Sequence, residues 1–231
     1  MANCKIKAPF FEIGPKSYLY GDQILELAIA ADKASEKYDV DVIFTCPVVD
    51  IRRVCEATKR LHVFAPHMDP IYPGRGLADT LPESLVAAGA EGVMLNHVEK
   101  PLSFAVLAET IKRADEVGLT TIVCADSMAD ASRIAGLHPD IIVAEPSELI
   151  GTGVSVGPEY VAAATDSVKN VDANILVLTA AGIAGGEDVY NTIMAGADAT
   201  GSSSGVAKAA DRPAMVDEMI SACRRAWDQR H

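Results

Sequence analysis

The stretch TTIVCADSMADASRIAGLHPDIIVA, Thr120 to Ala144, decides the fold. Its first five residues, Thr120 to Cys124, form a short apolar run rich in β-branched side chains, as expected of a strand buried on both faces. Met128 to Ile134 then shows helical spacing with charge on one side, and Gly136 stands where that helix should stop. A second apolar run, Ile141 to Ala144, completes a strand–helix–strand unit of the kind that builds parallel sheets.

The same unit recurs in both directions. Candidate strands are Pro9 to Ile13, Val42 to Thr45, His62 to Ala65, Gly92 to Leu95, Thr120 to Cys124, Ile141 to Ala144, Ile175 to Thr179 and Ala199 to Ser202. The helical segments are Asp22 to Lys37, Ile51 to Ala57, Pro82 to Ala88, Pro101 to Val117, Met128 to Ile134, Pro158 to Lys169, Glu187 to Met194 and Asp211 to Gln229. Pro82, Pro101 and Pro158 suit a first helical turn, and Gly89, Gly118 and Gly196 suit helix ends. Eight strand-then-helix units predict an α/β fold, a closed (β/α)8 barrel in one domain over residues 1–231. An open doubly wound sheet is the alternative.

With 49% hydrophobic and 23% charged residues, the composition excludes a fibre or a disordered tail. The net charge of −12 opposes binding to nucleic acid or to anionic membrane surfaces, so neither partner is expected. A phosphorylated metabolite stays compatible, because a local cradle of backbone N–H groups holds an anion against the overall field. Cys4, Cys46, Cys55, Cys124 and Cys223 are odd in number and scattered, which predicts reduced thiols and a cytoplasmic protein. The opening MANCKIKAPFFEIGPKS has no apolar stretch suited to a secretory leader, and no later run nears the about 20 residues that span a bilayer.

In such a barrel the chemistry belongs to the residues just after each strand. That rim offers Lys16 after the first strand, His97 and Glu99 after the fourth, and Glu145 after the sixth. It also offers two Gly/Ser-rich turns, at 180–186 and 202–205, whose N–H groups can point at an anion. Each feature alone is ordinary: a strand-end His is commonly structural, and a Gly/Ser turn is usually only a turn. Together they suit proton transfer on a small phosphorylated compound.

EPSELIGTG (Glu145 to Gly153), LNHVEK (Leu95 to Lys100), FAPHMDPIYPG (Phe64 to Gly74) and AAGIAGGEDV (Ala180 to Val189) resemble the loops of the triosephosphate isomerase family, most closely its short archaeal form. The resemblance runs from the first strand to the last helix and implies a TIM barrel, an aldose–ketose isomerase and a role in glycolysis and gluconeogenesis. It implies Glu145 as the proton-transferring base, His97 as the neutral electrophile, Lys16 as the oxyanion-stabilising cation and Glu99 as its acidic partner. Ile150 and Gly151 would belong to a closing lid, and Gly182, Ser203 and Ser204 would bind phosphate. This division of labour follows a worked case of acid–base tuning in that enzyme class. Neither cofactor nor metal is expected: His62, His67 and Asp69 lack a recognised metal-site pattern.

Four positions depart from the family pattern: Gly14 replaces an Asn, Pro66 a Gln, Leu77 a Thr and Val98 a Ser. Gly14 is expected to leave room beside Lys16, either in a pocket reshaped for a longer sugar or beside a repacked subunit interface. The expected reaction interconverts dihydroxyacetone phosphate and D-glyceraldehyde 3-phosphate. The alternatives are isomerisation of a tetrulose phosphate, a non-catalytic phosphometabolite-binding barrel, and a Schiff-base aldolase using Lys16. The loop from Pro66 to Thr80 is long and carries Met68, Ile71, Tyr72 and Leu77, so it is expected to pack against another copy in a homodimer or homotetramer.

Overall fold

Alternation along the strands decides which side chains enter the barrel. In β1 (Phe10–Ile13), Phe11 and Ile13 join the layer between strands and helices, while Phe10 joins the interior cluster with Ile43, Phe64, Ile122, Ile141 and Leu178. Glu12 follows Phe10 in phase and is buried inside. The protein is described by a computed structural model covering residues 4–180 and 182–231.

The remaining strands are β2 (Asp41–Thr45), β3 (Leu61–Ala65), β4 (Gly92–Leu95), β5 (Thr120–Ala125), β6 (Ile141–Ala144), β7 (Leu176–Thr179) and β8 (Ala199–Ser202). All neighbouring pairs are parallel, and β8 closes on β1, so the eight strands form a barrel in sequence order. The open-sheet alternative is thereby excluded. In this register Glu12 sits opposite Ile43 on one side and Gly201 on the other.

The helices on the outside are α1 (Asp22–Tyr38), α2 (Ile51–Ala57), α3 (Pro82–Ala88), α4 (Phe104–Val117), α5 (Met128–Ala135), α6 (Pro158–Lys169), α7 (Gly186–Met194), the single-turn α8 (Ser204–Ala207) and α9 (Arg212–Arg230). Two differ from the sequence reading by more than one residue at an end. α4 starts at Phe104, not Pro101, because the Ser103 side chain caps it by accepting from Val106 N. Where the sequence predicts a Ser/Gly turn at 202–205, the chain makes one helical turn, α8, just after β8. No helix among the described residues is long and apolar enough to cross a membrane.

Candidate active site

The carboxyl ends of the strands surround a cavity of about 400 Å³. Lys16, His97, Glu99, Glu145, Ile150, Gly151, Gly182, Ser203 and Ser204 all line it, so the structure brings every sequence-predicted site residue to one place. Ala181, inside the seventh-loop motif, lies outside the described residues.

Glu145 directly follows β6, and its backbone N–H donates to the Ala125 carbonyl at 3.1 Å, which ties it to the end of β5. Burial pushes its carboxyl up to about 7, with Lys16 opposing the shift and Glu99 and Asp126 adding to it. A carboxylate with its midpoint near neutrality is matched to taking and returning a proton there.

His97 sits in a loop pinned by its neighbour. Asn96 takes left-handed backbone (φ 57°), tolerable for Asn. Its side chain donates to the Cys124 carbonyl at 2.9 Å and accepts from Leu102 N at 3.0 Å. His97 Nδ1 accepts from the Glu99 backbone N–H at 3.1 Å. Burial, helped by the charge of Lys16, holds the imidazole below its ordinary pKa.

Lys16 also takes left-handed backbone (φ 47°), an uncommon state for a long side chain and one that concentrates at functional sites. Its Nζ reaches Glu99 Oε1 at 3.0 Å, joining the first loop to the fourth. The pair is partly exposed, so it contributes little to stability and serves mainly to aim the ammonium group.

The turns after β7 and β8 form another wall of the cavity. Gly182 is left-handed (φ 69°), and a Cβ there would lie 2.0 Å from the Val154 carbonyl oxygen, so only glycine lets the seventh loop meet the loop after β6. Ser155 Oγ donates to Asp188 at 3.0 Å, anchoring the far end of that segment. At α8 the first-turn N–H groups have no helical carbonyl to serve, and phosphate sites in such barrels are commonly assembled from the loops after strands seven and eight with a short extra helix.

Two residues were missed from sequence. Glu12 lines the cavity, and Thr45 Oγ1 donates to its Oε1 at 2.5 Å. The available signal was an acidic residue in phase with Phe10 inside an otherwise apolar strand. The room expected beside Gly14 is taken by this carboxylate: a Cβ on Gly14 would lie 3.0 Å from Glu12 Oε1. Pro66 lines the cavity, Leu77 is fully exposed, and nothing in the structure explains Val98. His62 and His67 serve different neighbours, His62 bonding Glu91 at 2.9 Å and His67 bonding Asp69 at 3.1 Å.

The third loop is split. Met68 is fully buried in its own barrel, and Tyr72 lies against Arg113 and donates to Glu116 at 2.8 Å. Only Leu77, of the four apolar side chains, is fully exposed. Val49 and Tyr20, on the loops after β2 and β1, are also largely exposed.

The model of the triosephosphate isomerase family matches residues 16–222. Among similar curated proteins, the triosephosphate isomerase of Saccharolobus solfataricus is 35% identical over 96% of this chain and 99% of its own. That of Sulfolobus acidocaldarius is 34% identical over 97% and 99%, and that of Methanocaldococcus jannaschii 36% identical over 87% and 92%. With the barrel, the rim cavity and these matches in hand, the chain belongs to the triosephosphate isomerase family.

Proposed function

We propose that this chain interconverts dihydroxyacetone phosphate and D-glyceraldehyde 3-phosphate, with Glu145, His97 and Lys16 as the working groups. The observation that carries the reading is the meeting, in one cavity, of a carboxyl with its midpoint near 7, an imidazole held neutral and a cation. The Gly182, Ser203 and Ser204 turns face them as the grip for phosphate.

In the forward direction Glu145 takes a proton from the hydroxymethyl carbon beside the carbonyl. The C–H electron pair becomes the carbon–carbon double bond, and the carbonyl oxygen gains the charge. His97, donating from Nε2, and Lys16 stabilise that oxygen. Glu145 then returns its proton to the former carbonyl carbon, and the proton leaving the former hydroxyl passes to the oxygen that gained the charge, relayed by the His97 ring beside both, so that the aldehyde and the new hydroxyl form together with no external oxidant. Ile150 and Gly151, closing over the enediolate, keep water out and hinder loss of phosphate.

A longer sugar is disfavoured, because the Glu12 carboxylate fills the space beside Gly14. Lys16, ion-paired with Glu99, suits charge stabilisation better than Schiff-base attack. The intact trio favours catalysis over passive binding. The reading also takes residues 1–231 as one barrel domain acting as a homodimer or homotetramer, supported by exposed Tyr20, Val49 and Leu77 on neighbouring rim loops. A cytosolic setting fits the five free cysteines. A coupled assay with each triose phosphate tests the activity; turnover in both directions is expected, and its absence in both would reject the reading.

A further inference from the structure

Glu12 is a buried carboxyl that the isomerisation steps above do not use. A buried carboxyl needs partners for both of its oxygens. Oε1 has Thr45, at 2.5 Å; Oε2 has no hydrogen-bond partner among the described residues. Its neighbours on two sides are Gly14 and Gly201, and Cβ atoms built there would lie 3.7 Å and 3.0 Å from Oε2. Neither glycine brings a side chain that could serve it. The 7% of Glu12 that remains accessible opens on the active-site cavity, which Glu12 lines.

Glu12 lies within β1, deeper than Lys16 and deeper than the rim turns that would hold the phosphate. A phosphorylated sugar gripped at the rim with its other end directed into the barrel would meet this carboxyl. We propose, on the basis of the isomerase reading, that Glu12 is a substrate-contacting specificity residue: Thr45 holds Oε1, and Oε2 hydrogen-bonds an oxygen at the non-phosphorylated end of the sugar. Gly14 belongs to the same device, because a side chain at that position would displace the Glu12 carboxyl.

The charge state follows from the surroundings. Burial raises the Glu12 carboxyl to about 7; Glu145, after β6, pushes the same way, while Thr45 and Lys16 oppose. The Cys124 thiol of β5 also faces it, and His97 and Glu99 line the same cavity. Below neutrality Glu12 is an acid: Thr45 donates to its carbonyl oxygen, and its own O–H donates into the cavity. Above neutrality it becomes a second negative charge beside Glu145 and an anionic substrate.

The test compares wild type with Glu12→Gln and Glu12→Leu by calorimetric affinity for two probes, 2-phosphoglycolate, whose carboxylate stands in for the enediolate end, and inorganic phosphate. At about pH 6, Glu12→Leu is expected to weaken 2-phosphoglycolate about tenfold, as loss of one hydrogen bond to a charged group does, and to leave inorganic phosphate unchanged. Glu12→Gln keeps a donor and should bind 2-phosphoglycolate within about twofold of wild type at that pH, then surpass it near pH 8, where wild-type Glu12 is ionised. Unchanged 2-phosphoglycolate affinity in Glu12→Leu, or equal weakening of both probes, would overturn the proposal. An inactive wild type that still shows the expected probe pattern would reject the isomerase reading and leave the Glu12 contact standing.

Discussion

The Nδ1 atom of His97 accepts a hydrogen bond from the backbone N–H of Glu99. A backbone amide only donates, so Nδ1 carries no proton, and the neutral ring must hold its proton on Nε2. Burial and the Lys16 charge favour that neutral form. The ring is therefore set as a hydrogen-bond donor to a carbonyl oxygen without becoming a cation.

Nitrogen-15 spectra of the imidazole at about pH 6.5 should show His97 as the neutral Nε2–H tautomer, when a free histidine is about half protonated. His97→Gln should lower kcat by roughly 10²- to 10³-fold with a smaller effect on KM, the pattern for loss of a donor aimed at developing charge. An imidazolium signal at that pH would remove the electrophile role.

Glu12 and Glu145 both have carboxyls raised from 4.5 to about 7, mainly by burial. Between those values the unfolded chain has released these protons while the folded one keeps them, so stability must fall as pH rises through the window. Glu12→Gln removes one share of that loss. Urea midpoints should show a larger gain, or a smaller loss, for Glu12→Gln at about pH 8 than at about pH 5; equal effects at both would show that Glu12 is not buried as an acid.

Gly14 and Glu12 compete for one space, which a double-mutant cycle reads directly. Gly14→Asn alone should cost stability and activity by crowding the carboxyl. Combined with Glu12→Ala, it should cost less than the sum of the two single changes. Strict additivity would mean that the two positions do not share a volume.

Exposed Tyr20, Val49 and Leu77 carry the assembly expectation. Light scattering at micromolar concentration should give the mass of a dimer or tetramer, and Leu77→Glu or Val49→Asp should reduce it toward the monomer. A monomeric mass in the wild type would show that these side chains have another use.

Much of the barrel was legible because its strands are buried on both faces and so read as short apolar runs such as Ile141 to Ala144. Helix starts were less so: Pro101 permits a first turn, but Ser103 supplies a cap, and the cap decides. The one-turn α8 left no periodic signal to read. Lys16, His97 and Glu145 could be assigned to one rim since each lies one to three residues past the end of a strand. Glu12 could not be assigned to the pocket, because only barrel closure puts β8 beside β1 and turns an interior strand position into a pocket floor. The same closure reverses the meaning of Gly14, from empty room to accommodation of a neighbour.

In the proposed reaction Glu145 moves the proton of a triose-phosphate isomerisation. The most direct measurement is the turnover of dihydroxyacetone phosphate by wild type and by Glu145→Gln in a coupled assay, with inorganic phosphate affinity measured alongside to check the fold. The wild type should turn over, and Glu145→Gln should be slower by at least ~10²-fold with phosphate affinity retained. Near-normal turnover by Glu145→Gln would show that another group is the base.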